Sequence, residues 1–137
     1  MEYETIKDRV NEINVFSSSI GGHLVALSEG YAKTEMETPK EILNAVGSIH
    51  GGCQFTIADD AACAAAASCG MAVVTLDVDF HYLNPGVNTS KICAEAKVIK
   101  KGRRIIVVGV EVYNQDGVQL STATFTCTTT KKRFEEL

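Results

Sequence analysis

Two adjacent carboxylates, Asp59 and Asp60, sit between Phe55-Thr56-Ile57-Ala58 and a run of alanines. A carboxylate buried among such neighbours without partners carries a large desolvation cost or has its pKa driven upward. Consecutive helical residues point about 100° apart, so the two side chains cannot share one pocket. One could face a cleft while the other caps or pairs elsewhere, and the residues alone do not choose between them. The plainer reading is that the helix is less buried than its composition suggests and both acids are solvated.

Directly ahead of these acids stands His50-Gly51-Gly52. Two glycines let the backbone approach a ligand closely, and the first amides of a helix have no internal acceptors. With the helix dipole behind them, those amides suit an oxyanion. Taken alone, Gly-Gly is a flexible turn. A histidine before it and an aspartate two turns into the same helix make it a candidate site. Cys53, three residues after His50, offers a competing nucleophile, because a helix start lowers a thiolate pKa. Such a residue is more often a small hydrophobe packing the helix start. Lys97, Lys100, Lys101, Arg103 and Arg104 bracket a turn. A solvated turn is the common reading, although the same charges suit the phosphates of a nucleotide-bearing substrate.

The elements that must hold these groups follow from periodicity. Ile6, Val10 and Ile13 at helical spacing predict an amphipathic helix over residues 3 to 16. Two β-like runs follow, His23 to Leu27 and Tyr31 to Glu37, with a hairpin turn at Ser28-Glu29-Gly30. Thr38-Pro39-Lys40-Glu41 reads as a capping box that starts a helix of one or two turns. From Gly52 to Ser68 the alanine-rich sequence predicts a helix that is apolar on nearly every face, hence buried all round. Its small residues keep it thin, so a sheet can wrap closely around it. Beyond Gly70 the period becomes two: Val74, Leu76, Val78, Phe80 and Tyr82 alternate with Thr75, Asp77, Asp79 and His81. Strands are expected near Lys91 to Lys100, Arg104 to Tyr113 and Val118 to Thr130, and the charged tail Lys131 to Leu137 is expected to fray. The fold class is α+β: one buried central helix and an antiparallel sheet.

Composition narrows the functions. At 137 residues the chain, 1–137, is expected to be a single domain. The net charge of -4 supplies no basic field for nucleic acid or an acidic membrane, and neither is expected as a partner. The acidic start Met1-Glu2-Tyr3-Glu4 lacks a signal-peptide pattern, and the apolar stretch Ala58 to Cys69 is too short to span a bilayer. Five cysteines with no C-x-x-C pair read as buried, reduced thiols of a cytoplasmic protein. Three widely spaced histidines carry no metal-ligand pattern, and no cofactor is expected.

Asn44, His50-Gly51-Gly52, Asp59 nine residues after the histidine, the strand Val74-Thr75-Leu76-Asp77-Val78 and the closing Tyr82-Leu83-Asn84-Pro85 together resemble the hotdog-fold acyl-CoA thioesterases. The likeness runs from about Val15 to Thr130 and is nearest the branch containing the phenylacetate-degradation and hydroxybenzoyl-CoA enzymes. It implies an antiparallel sheet wrapped around one long helix, and hydrolysis of an acyl-CoA thioester. Gly51 would donate the amide that polarises the thioester carbonyl, and Asp59 would be the nucleophile or the general base. His50 and Asn44 would orient the thioester or its partner, and Thr75 would bond the attacking water or carboxylate. The resemblance thus selects Asp59 over Asp60. Gly52, Asn84, Lys101, Arg103 and Arg104 are the expected substrate-binding residues. At Asn84 many relatives carry a basic residue, which puts one nucleotide contact in doubt. Asp60 stands where relatives commonly carry a neutral residue, and a like charge beside Asp59 would raise its pKa.

In related enzymes each site is built by two subunits, one supplying the H-G-G segment and the other the Asp. A homo-oligomer, dimer or dimer of dimers, is therefore expected. The alternative from another class is a non-catalytic acyl-CoA or lipid-binding hotdog module. Regulators of that kind usually carry a DNA-binding domain, and none is expected in 137 residues. A hotdog dehydratase ranks below both, because the proline-flanked histidine loop expected there is missing.

Overall fold

A computed structural model describes residues 1–137. One helix, Gly51–Ala67 (α3), runs beneath an antiparallel sheet. Its alanines explain how closely the two pack. Ala61, Ala62, Ala65 and Ala66 are all 0% exposed, and no side chain longer than a methyl separates the helix from the sheet there. Ile57 reaches into the same layer against Met36, Ile92, Val108, Val110 and Phe125, all of them buried.

Six strands form the sheet: His23–Ser28 (β1), Tyr31–Glu37 (β2), Met71–Tyr82 (β3), Lys91–Lys101 (β4), Ile105–Asn114 (β5) and Gln119–Arg133 (β6). They lie in the order β1-β2-β4-β5-β6-β3, every neighbour antiparallel. β3 is therefore an edge with one side unpaired. The other edge, β1, is tied to the first helix. The Asn11 side chain donates to the Leu24 carbonyl at 2.9 Å and accepts the Leu24 amide at 2.8 Å, beside the irregularity between Leu24 and Ala26. No helix is long and apolar enough to cross a membrane.

Several expectations need correction. The helix predicted over residues 3 to 16 breaks at Asn14, whose backbone leaves the helical region, giving Tyr3–Ile13 (α1) and Val15–Ser19 (α2). The break turns Ser17 inward, where its hydroxyl donates to Asp60. The capping box does not form. Thr38 gives its hydroxyl to the Thr89 carbonyl instead, and only a three-residue 3-10 turn, Lys40–Ile42, follows. The tail does not fray. β6 runs on to Arg133, the Phe134 amide donates to the Gly70 carbonyl at 2.9 Å, and the Phe134 ring enters the core at 4% exposure. Nor is α3 covered all round, since Phe55 is exposed and Asp59, Asp60 and Cys63 are half-buried. Only Cys127 among the cysteines is fully buried.

The alternation expected along β3 changes phase. Thr75 pairs with Cys127 and Asp77 with Thr126, leaving Leu76 as an extra residue against β6. This bulge puts Thr75 on the helix side together with Val78 and Phe80, while Val74 and Leu76 stand 53% and 58% exposed. A strict period of two would have placed Thr75 on the opposite face from those residues.

Asp59 and Asp60 do point apart. Burial drives the Asp60 pKa up, the Ser17 and Asn14 hydrogen bonds oppose that shift, and the Asp59 charge adds to it. Because the folded value lies above the unfolded one, the stability gained by the protonated form is complete at low pH and is lost as pH rises through the folded pKa. Asp60→Asn keeps an acceptor for Ser17 and should raise Tm at neutral pH while flattening that acid-side dependence; a thermal melt series across pH checks it. Phe134→Ala should cost about 3 kcal/mol, the low end for a buried phenylalanine, measurable as a lower urea midpoint. A fraying tail would leave the midpoint unchanged.

Candidate active site

Two sets of polar groups gather on α3. The first is at its N-terminus. His50 is the N-cap, and its Nδ1 accepts the Gly52 amide at 2.9 Å while its carbonyl accepts the Cys53 amide at 2.9 Å. Of the first three amides of the helix, only that of Gly51 is left without an acceptor. It lines a cleft of about 540 Å3 together with His50, Gln54, Tyr82, Asn84 and Asn44.

Each glycine is closely approached by a side chain. A Cβ on Gly51 would lie 3.0 Å from the Tyr82 ring, and the Tyr82 hydroxyl donates to the Gly51 carbonyl at 2.8 Å. A Cβ on Gly52 would lie 3.0 Å from His50 Nδ1, the atom that accepts its amide. The side chain of Asn44 holds its own loop: Oδ1 accepts the amides of Val46 and Ser48, each at 3.1 Å, and Nδ2 donates to Ser48 Oγ at 2.9 Å. Asn84 Nδ2 donates to the Gln119 carbonyl at 2.8 Å, which fixes the far wall of the cleft.

The second set lies two turns along α3. Thr75 Oγ1 donates to Asp59 Oδ1 at 2.6 Å, so the bulge in β3 aims a hydroxyl at the carboxylate. Cys63 Sγ lies 3.2 Å from Thr75 Oγ1 and 3.9 Å from Asp59 Oδ1. The Cys127 thiol, across the strand pair from Thr75, together with burial and the Asp59 charge, pushes the Cys63 pKa up and keeps it a thiol. Burial also pushes the Cys53 thiol up, which removes the thiolate a cysteine nucleophile needs.

The structure thus joins His50, Gly51, Gly52, Asn44 and Asn84 in one cleft and Asp59 with Thr75 in another place. Eight residues of α3 separate Gly51 from Asp59, about 12 Å along the axis at 1.5 Å per residue. Lys101, Arg103 and Arg104 are exposed and make no ion pair. They belong to the Asp59 end: Lys101 pairs with Ile106, Ile106 with Cys127 and Cys127 with Thr75, three strand spacings or roughly 14 Å across the sheet. No single cleft of one chain contains them and His50 together.

Residue reasoning missed two members of the first cleft. Tyr82 read as a strand residue and as part of the family pattern, with no place at the cleft; its contact with Gly51 depends on a tertiary approach that no local pattern signals. Gln54 read as part of an apolar helix, yet it is 3% exposed with its Oε1 lacking a donor. A lone amide in an alanine-rich helix was the available signal.

Residues 46–121 match the Thioesterase superfamily. A putative esterase of Archaeoglobus fulgidus is 32% identical over 111 residues, 81% of this chain and 72% of that protein. The acyl-coenzyme A thioesterase PaaI of Escherichia coli is 31% identical over 104 residues, 76% of this chain and 74% of the relative. The PaaI structure superposes with a TM-score of 0.89 at 25% identity, covering 94% of each chain. A Streptococcus mutans protein solved with acetyl CoA superposes at 0.77 with 31% identity, over 82% of this chain and 91% of that one. With more than half its length matched and its sheet and helix superposed on these relatives, this chain belongs to the thioesterase superfamily and has the hotdog fold.

Proposed function

We propose that the protein hydrolyses acyl-CoA thioesters at a site shared between two subunits. The observation that carries this reading is the pair of incomplete half-sites on α3: a free Gly51 amide at one end and the Asp59–Thr75 pair about 12 Å away. A thioester carbonyl polarised by Gly51 of one subunit is within reach of Asp59 only if that carboxylate comes from another. The unpaired edge of β3 supports such an arrangement. Thr75 lies toward one end of this strand and Tyr82 at the other, so two copies paired antiparallel near Asp79 bring Thr75 of one beside Tyr82 of the other. Thr75 carries Asp59 with it, and Tyr82 carries Gly51.

In this reading the carbonyl oxygen accepts the Gly51 amide, and the helix dipole offsets the charge that develops there. Asp59 either takes a proton from the attacking water or attacks the carbonyl carbon itself. Thr75 orients the carboxylate through its hydrogen bond. The C–S bond then breaks, CoA leaves as a thiolate that takes up a proton, and the acid is released. The free basic turn Lys101, Arg103 and Arg104 is suited to the CoA phosphates, and Asn84 and Gly52 to the cleft that the pantetheine arm enters. His50 orients the N-terminal amides, and Asn44 holds the loop behind them. The whole chain, 1–137, acts as one hotdog unit in a homo-oligomer, a dimer or a dimer of dimers. Five free cysteines fit the reducing cytoplasm.

Asp59→Asn should lower kcat by about 10²–10⁴-fold, the range for a missing general base. Gly51→Ala, which drives a Cβ into Tyr82 and displaces the amide, should lower it by about 10²–10³-fold. Thiol release from a panel of acyl-CoAs measures both, and full activity in the Asp59 variant would remove its assigned role. Mixing and refolding the two inactive variants together should restore roughly a quarter of wild-type activity, because half the randomly paired dimers then hold one intact site of two. No restoration means that each site lies within one chain. Tight acyl-CoA binding by the wild type without turnover would favour the non-catalytic binding module.

A further inference from the structure

Beneath α1 lies an apolar cavity of about 210 Å3 that neither half-site uses. Val10 and Ile13 of α1 form one wall, Ala64 and Ala67 of α3 the opposite one, and Phe134 and Leu137 of the docked tail close the floor. Only two polar residues line it, Asn14 and Asp60; Ser17 donates to the Asp60 carboxyl, and Asn14 acts on the same carboxyl to lower its pKa. Nothing in the wall is left to recognise a polar substituent. Cys63 lines the cavity, and its Sγ lies 3.2 Å from Thr75 Oγ1 and 3.9 Å from Asp59 Oδ1. Empty apolar space therefore begins one thiol away from the reacting carboxylate.

We propose that this cavity receives the acyl chain of the thioester, and that the chain is a straight aliphatic one of medium length. The inference rests on the shared-site reading, in which the carbonyl carbon sits against Asp59. A chain attached to that carbon can run past Cys63 and lie between α1 and α3. Ala64, Ala67 and Ala72 end at a methyl, which leaves space between α1 and α3 for a flexible alkyl chain to lie against aliphatic walls. The rings that contact one another beside α3, Phe55, Phe80 and Tyr82, lie at the Gly51 end and leave the cavity walls aliphatic apart from Phe134. The length limit is set by Leu137 and Phe134, so the tail acts as the ruler for the substrate.

The test runs acetyl-, butyryl-, hexanoyl-, octanoyl- and dodecanoyl-CoA beside benzoyl- and phenylacetyl-CoA on the full chain. Thiol release gives kcat/KM, and calorimetry gives binding of the same compounds and of CoA alone. Each buried methylene should raise kcat/KM about threefold to fourfold until the cavity is full. Val10→Phe, which fills the cavity, should lower the octanoyl-to-acetyl ratio of kcat/KM by at least about tenfold, the loss of two or more methylenes. Leu137→Ala, which opens the floor, should raise the dodecanoyl-to-octanoyl ratio. The proposal is overturned if both ratios stay at wild-type values in variants that melt cooperatively, or if an aromatic thioester is the best substrate. Two variants are used so that loss of folding in one leaves the other to decide. If no thioester is cleaved, the hydrolase reading fails on its own; calorimetry still decides this one, with octanoyl-CoA binding tighter than CoA supporting the cavity and equal binding overturning it.

Discussion

Everything in this molecule is arranged around how near the sheet can come to α3. Four alanines at 0% exposure remove the side-chain layer that ordinarily keeps a helix about 10 Å from its packing partner. The closeness lets a short threonine on β3 reach a short aspartate on α3 at 2.6 Å, and lets the Tyr82 ring touch the Gly51 backbone. Longer residues along α3 would push the strand away and break both contacts at once. The helix also sets the spacing of the site, because its rigid rise holds Gly51 and Asp59 two turns apart.

The N-terminus of α3 separates capped amides from a free one within a single turn. A helix start leaves several amides without acceptors. Here the His50 ring and carbonyl take those of Gly52 and Cys53, and the Gly51 amide remains. The capping histidine thereby singles out one donor at the cleft. Asn44 does comparable work behind it, closing the 44–48 loop on itself so that Ile49 and His50 enter the helix in a fixed orientation.

Much of this was legible in the residues, for reasons that mark where legibility stops. The alanine run and the shift to alternating residues after Gly70 report burial and period directly, so the central helix and the strand order of appearance could be read. The paired acids and the H-G-G segment stood out because each is costly where it sits. Only the resemblance named Asp59 over Asp60, and the bulge at Leu76 that brings Thr75 to Asp59 leaves no mark in a period of two. Phe134 read as part of a charged tail because one apolar residue carries no periodicity, yet burying one ring against Gly70 is enough to order the segment. Thr38 donates its hydroxyl to its tertiary neighbour Thr89 and accepts no helix amide, a partner that the local capping pattern does not reveal.

Tyr82 joins two things that are usually separate. Its backbone belongs to the unpaired edge of the sheet, while its hydroxyl and ring hold the carbonyl and Cα of the residue whose amide faces the cleft. A strand edge frays when nothing pairs with it, and any fraying at this end loosens the peptide whose amide faces the cleft. Whatever pairs with this edge would tighten the amide directly through the phenol, so that the hold on the strand and the precision of the amide are one mechanical property.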